Sequence, residues 1–180
     1  MMLKALLVML VALLVVILGI VGVGVMLPKA HVVARTITLH QTPEAVFAVM
    51  SDFKNAPTWR PDVQSVELLP PEGGAVRFRE KSTNGVITYE VVESKAPGRL
   101  VTRIADPGLP FGGKWIYEIS SEPGGCRVDI TERGEVYNPV FRFVSRFVLG
   151  QTRTLDNYLR NLARHFGENA VALDGNAAER

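Results

Sequence analysis

The chain has 180 residues, 47% of them hydrophobic, and a formal net charge of +2. That near balance singles out neither nucleic acid nor an acidic partner, and the single cysteine, Cys126, excludes an internal disulfide framework or a multi-thiolate metal site. His31, His40 and His165 lie far apart without zinc-ligand spacing, so no metal is expected, and no motif calls for a cofactor.

From Ala5 to Leu27 no charged residue interrupts a run of mostly Leu, Val, Ile, Ala and Gly. As a helix at about 1.5 Å per residue it would reach about 34 Å, enough for a hydrocarbon core of about 30 Å. A cleaved signal has an apolar region of only about 7–15 residues and a small-residue cleavage site, so the stretch reads as a single-pass anchor. Lys4 and the amino terminus face Lys29 and Arg35, a near tie under the positive-inside rule that leans towards an extracytoplasmic domain. The expected organisation is an anchor over 1–30, one domain over 31–168 and a frayed tail over 169–180.

A strand is predicted at 31–39, followed by a short helix from Thr42-Pro43 to Met50 and a helical turn around Trp59. Six strands follow at 63–69, 75–82, 85–93, 100–105, 114–121 and 126–136. Pro70-Pro71, Asn84-Gly85, Pro97-Gly98 and Pro123-Gly124-Gly125 punctuate them, and Asn84-Gly85 predicts a type I′ hairpin. Connections this short imply antiparallel neighbours. Asn138-Pro139 then opens one long helix ending near Gly167. Its apolar sector holds Phe141, Val144, Val148, Leu155, Tyr158, Leu159, Leu162 and Phe166, with Gln151 as a polar exception. Arg142, Arg146, Arg153, Arg160 and Arg164 cluster on the opposite side as a solvated stripe or a contact for anionic headgroups. The stripe lacks interleaved aromatics, which argues against nucleic acid. The fold class is therefore α+β: a curved antiparallel sheet of about seven strands gripping a long helix, with a cavity between them.

Alternation in the strand at 126–136 places Val128, Ile130, Glu132 and Val136 on one face, which sets the Glu132 carboxylate among apolar groups. Arg77, Arg79 and Arg103 are its candidate partners, and a structural ion pair is weighed against a ligand anchor or a general acid/base. Trp115, Tyr89 and Tyr117 are candidate pocket residues, because a buried phenol needs a partner and can orient a ligand. Leu109 and Phe111, in the Pro/Gly-rich segment 106–113, read either as core caps or as a lid that touches the bilayer.

The element order resembles the SRPBCC superfamily, which includes the START lipid-transfer domains and the bacterial polyketide cyclase/dehydrase group. The likeness rests on Thr42-Pro-Glu-Ala-Val-Phe47, Ser51-Asp52-Phe53, Trp59-Arg60-Pro61, Gly112-Gly-Lys-Trp-Ile-Tyr117, Ile130-Thr-Glu-Arg-Gly-Glu135 and Asn138-Pro-Val-Phe-Arg142. This resemblance implies a pocket for lipids, polyketides, quinones or related molecules, without fixing an activity. The first reading is a membrane-tethered binding module for an apolar small molecule or lipid. The second is a cyclase/dehydratase-like or hydrolytic enzyme using Glu132 with a tyrosine or arginine. The third is an interaction protein with a closed cavity.

Overall fold

The computed structural model describes residues 2–150 and 152–177, without the side chains of 148 and 149. Helix α1 (Met2–Met26) is apolar beyond Lys4 and is long enough to cross a membrane. Strand β1 (Ala30–Leu39) leads into α2 (Pro43–Ser51). There the Thr42 hydroxyl accepts the Ala45 N–H at 3.3 Å and Pro43 occupies the first turn. A 3-10 turn (Phe53–Thr58), capped by Asp52, delivers Trp59 and Arg60 to the start of the next strand.

Six strands then run as a meander: β2 (Val63–Glu72), β3 (Ala75–Ser82), β4 (Gly85–Lys95), β5 (Arg99–Ile104), β6 (Phe111–Glu122) and β7 (Gly125–Val136). The chain ends with α3 (Pro139–Val144), a π-helical turn (Ser145–Leu149), α4 (Arg153–His165) and a two-residue β8 (Leu173–Asp174). The sheet order is β2-β3-β4-β5-β6-β7-β1-β8, antiparallel throughout. Strand β1 thus pairs with β7, and its other edge takes β8.

Several expectations need correction. The single long helix is two pieces, because Gly150 takes φ 75° and interrupts the ladder before α4. Residues 173–174 are not frayed. They pair with Arg35 and Thr36, and Arg35 holds the segment through Asp174 and the Ala172 carbonyl at 2.9 Å. The β3–β4 hairpin turns on Thr83-Asn84 rather than as an Asn-Gly type I′ turn. Gly85 alone takes the positive φ, of 104°, and closes the ladder opposite Ser82. Strand β2 runs on through Pro70 and Pro71, which an edge strand tolerates because its outer N–H groups need no partner.

Leu155, Tyr158, Leu159 and Leu162 of α4 bury against Ile37, Leu39, Ile119, Val128 and Ile130 of the sheet. Val46, Phe47 and Met50 of α2 complete that core. Truncating any one of these aliphatic side chains to Ala would cost about 2–5 kcal/mol. The amphipathic spacing of α4 therefore decides which sheet face becomes the interior.

Candidate functional site

Residues directly opposed in an antiparallel ladder share a face. The register links Val33, Glu132, Trp115 and Thr102, and one step along it links Ile130, Tyr117 and Leu100. Tyr89 and Phe78 pair across β4 and β3, with Glu80 two residues on. All of these point to the concave face, under the first half of α4.

Between that face and α4 lies a hollow of about 70 Å³, lined among others by Trp59, Arg60, Glu80, Tyr89, Tyr117 and Tyr158. Trp115 and Thr102 also line it, and exposed Asn84 and Thr154 bring the lining to the surface. Tyr158 is the roof, in ring contact with Trp59 at 5.1 Å, Tyr117 at 5.6 Å and Trp115 at 5.8 Å. Phe53, Phe78 and Tyr89 stack in sequence along one side, at 4.2 and 5.3 Å. At about 30 Å³ per water, the hollow holds the equivalent of about two waters.

Its polar floor is Arg60, which donates to Glu80 through both terminal nitrogens, at 2.8 and 3.1 Å, and to Asp62 at 3.0 Å. The guanidinium also sits 5.4 Å from the centroid of the Tyr158 ring. Burial alone would lower the Arg60 pKa, but Glu80 and Asp62 outweigh it and raise it, so the cation is locked in. Burial pushes the Tyr89, Tyr117 and Tyr158 phenols well above their ordinary value, and Thr102 bonds the Tyr117 hydroxyl. The hollow therefore offers hydroxyl donors and aromatic faces above a neutralised ion pair.

This has a measurable consequence. A phenol whose folded pKa exceeds its unfolded value of 10.0 contributes stability that is complete below pH 10 and is lost as pH rises through the folded value. Tyrosinate absorbance is expected to stay low in the native chain just above pH 10 and to appear at once on denaturation. Ordinary titration of the native chain would show instead that these phenols are in water.

The sequence-derived candidates divide. Trp115, Tyr89 and Tyr117 line the hollow. Glu132 sits beside Trp115 in the ladder, and its near partner is His31, at 3.3 Å, rather than an arginine. Gly134 makes this possible, because a Cβ there would collide with the His31 ring. Arg79 and Arg103 are not pocket residues: they project from the convex face and pair with Glu67 and Glu90, each at 3.1 Å, while Arg77 pairs with Glu72. They sit one residue out of phase with Phe78 and Thr102, so alternation turns them outward. Gln151 lies outside the described residues, as does the Val148 side chain.

Leu109 is half-buried in the β5–β6 turn, and Phe111 is the first residue of β6, stacked on Phe141 at 6.0 Å; neither lines the hollow. The arginine stripe is not continuous. Arg153, Arg160 and Arg164 are exposed on α4, whereas Arg142 is buried on α3 and donates to the Leu27 carbonyl at 2.8 Å. Arg60, Glu80 and Tyr158 were missed as site residues. Alternation within β3 could have flagged Glu80, which shares the parity of buried Phe78 and Ser82.

An antiparallel sheet wrapped on a C-terminal helix, with a hollow beneath that helix, defines a START-like helix-grip protein. The chain belongs to the family described as polyketide cyclase / dehydrase and lipid transport, whose model matches residues 30–167. An uncharacterised Mycobacterium tuberculosis protein is 27% identical over 152 residues, covering 81% of this chain and 90% of that one. Among solved structures, a START superfamily protein from Mycobacterium smegmatis aligns with TM-score 0.59 and 16% identity over 75% of this chain and 96% of its own. A Thermus thermophilus protein aligns with TM-score 0.61 and 20% identity, covering 73% of this chain and 94% of its own. The di-domain ARO/CYC BexL of the BE-7585A biosynthetic pathway has TM-score 0.61 and 16% identity, covering 81% of this chain and 52% of BexL. At such identities these structures share the fold.

Proposed function

We propose that this is a membrane-tethered binding module that takes an apolar small molecule or lipid, part of which enters the aromatic hollow and accepts a hydrogen bond there. The observation that carries this reading is the position of the hollow. Because neighbouring strands alternate in direction, the starts of β1, β2, β4 and β6 and the ends of β3, β5 and β7 share one end of the sheet. Arg60, Asn84, the β5–β6 turn and the junction from α1 into β1 all lie at that end. A guest leaving the bilayer beside α1 would meet the hollow's lining without crossing the domain.

Ligand pockets in proteins run to about 300–1,000 Å³, so in this reading a hollow of about 70 Å³ has to widen to take its guest. Thr154 and Tyr158 belong to α4, which starts just after the break at Gly150, so displacement of its first turn would enlarge the space. Leu109 and Phe111, at the same end, fit a lid contact with the bilayer. Native mass spectrometry of the detergent-extracted full chain, with lipid identification, tests the reading. A co-purifying apolar molecule at fixed stoichiometry is expected. A protein that stays empty when reconstituted with total lipid extract and re-extracted would favour the closed-cavity interaction protein instead.

Convergence of Arg60, Glu80 and three phenols in one hollow favours a second reading, an enzyme of the cyclase or dehydratase kind. In that reading a protonated tyrosine, not Glu132, is the proton donor. Tyr117→Phe separates the two: a binder keeps its guest with weakened affinity, whereas an enzyme keeps the guest and loses turnover.

A further inference from the structure

A second cavity, of about 260 Å³, lies where α1 hands the chain to β1 and packs against α3. Its lining includes Lys29, His31, Arg142, Ser145 and Arg146, with no carboxylate among the described residues. Two neighbouring acids on β7 are already engaged: Glu132 with His31, itself a lining residue, and Glu135 with the Tyr137 hydroxyl. Arg142 is only 8% exposed, and its Nε is buried without a hydrogen-bond partner, although its terminal nitrogens reach the Leu27 and Tyr137 carbonyls. A buried guanidinium with an unsatisfied donor beside a cavity lined by other basic groups needs an acceptor, which water or a bound anion can supply.

The surroundings say which anion. Val140, Phe141 and Phe147 are exposed on the segment that carries Arg142 and Arg146, and Phe143 packs on Phe147 at 5.0 Å. Short apolar-and-arginine segments of this kind lie in a membrane interface with rings in the acyl boundary and cations at headgroup level. Gly24 fixes the depth. A Cβ there would run into the Pro139 carbonyl, so the last turns of α1 lie flush against the start of α3. At about 30 Å³ per water, the cavity equals about nine waters, room for a phosphodiester headgroup.

We infer that the cavity framed by Lys29, His31, Arg142, Ser145 and Arg146 binds the phosphate of an anionic phospholipid headgroup in the leaflet where α1 ends. The inference rests on the reading of α1 as a membrane span. It adds a headgroup site separate from the aromatic hollow, fixing the domain's height and tilt at the surface.

The test uses the full chain in detergent, titrated with phosphatidylglycerol, phosphatidylcholine or inorganic phosphate and read by native mass spectrometry. Phosphatidylglycerol is expected to be retained over phosphatidylcholine, and millimolar inorganic phosphate is expected not to displace it. Lys29→Gln with Arg146→Gln, both at exposed positions, is expected to weaken retention about thirty-fold, two charges at the usual worth of a membrane-surface cation. Ser145→Glu, which puts a carboxylate into the cavity, is expected to abolish it. Equal retention of both lipids by the wild type, unchanged retention in either variant, or displacement by inorganic phosphate would overturn the site. Carbonate extraction of membranes separates this from failure of the anchor: a chain that stays with the pellet but shows no lipid preference sinks the headgroup site alone.

Discussion

Arg60→Met is expected to destabilise the domain by about 3–5 kcal/mol, because it strands Glu80 in the interior without its cation. The Glu80 side chain is only 6% exposed, and Arg60 is its one cationic partner among the described residues. Asp62, at 29% exposure, would recover part of its hydration and adds less. For a chain of this size the loss corresponds to a fall in Tm on the order of 10 °C. The informative companion is Arg60→Met with Glu80→Met. A buried ion pair is often replaced by apolar side chains of similar volume at little cost, so the double variant is expected to recover most of the loss. Denaturant unfolding of the detergent-solubilised chain measures both. A double variant as unstable as the single would mean that Arg60 acts chiefly through its position over the Tyr158 ring, and the ion-pair account would be wrong.

Much of this architecture was legible in the residues. Turn residues separated the six meander strands, Thr42-Pro43 and Asn138-Pro139 marked two helix starts, and the apolar spacing of Leu155, Leu159 and Leu162 showed which face α4 buries. What escaped has identifiable causes. Periodicity carried the final helix straight through Gly150, because a single glycine costs a helix only about 1 kcal/mol and does not announce a break. Strand β8 has two residues, too few for any alternation, and is held by Arg35 contacts that link distant positions.

The site was harder than the fold for the same reason. Glu132 stood out because the residues on its face of the strand are apolar, yet its neighbour proved to be His31, which only the β1–β7 register brings within reach. Arg60 carries no local sign of burial, and Glu80 carries only the parity it shares with Phe78 and Ser82. Their pairing appears only once the start of β2 is folded against the end of β3. Parity within a strand is readable from sequence; the pairing of elements far apart in the chain is not.

Tyr158→Ala bears most directly on whether the hollow accepts a guest. Removing a buried aromatic side chain costs about 3–5 kcal/mol, part of it from the void left behind. That void would open onto Trp59, Trp115 and Tyr117, which now touch the Tyr158 ring, and would join the existing 70 Å³. If α4 is held by Leu155, Leu159 and Leu162, all fully buried, the void persists and, joined to the existing hollow, has room for 4-methylphenol, the small-molecule analogue of the tyrosine side chain. A ligand that binds only the folded state stabilises it by about 1.4 kcal/mol at ten times its Kd, so the Tm of the variant is expected to climb with 4-methylphenol while that of the wild type stays flat. A variant that is destabilised but indifferent to 4-methylphenol would mean that α4 has slumped into the space. A sheet and helix that close on themselves whenever room appears do not make a carrier, and the closed-cavity reading would then be preferred.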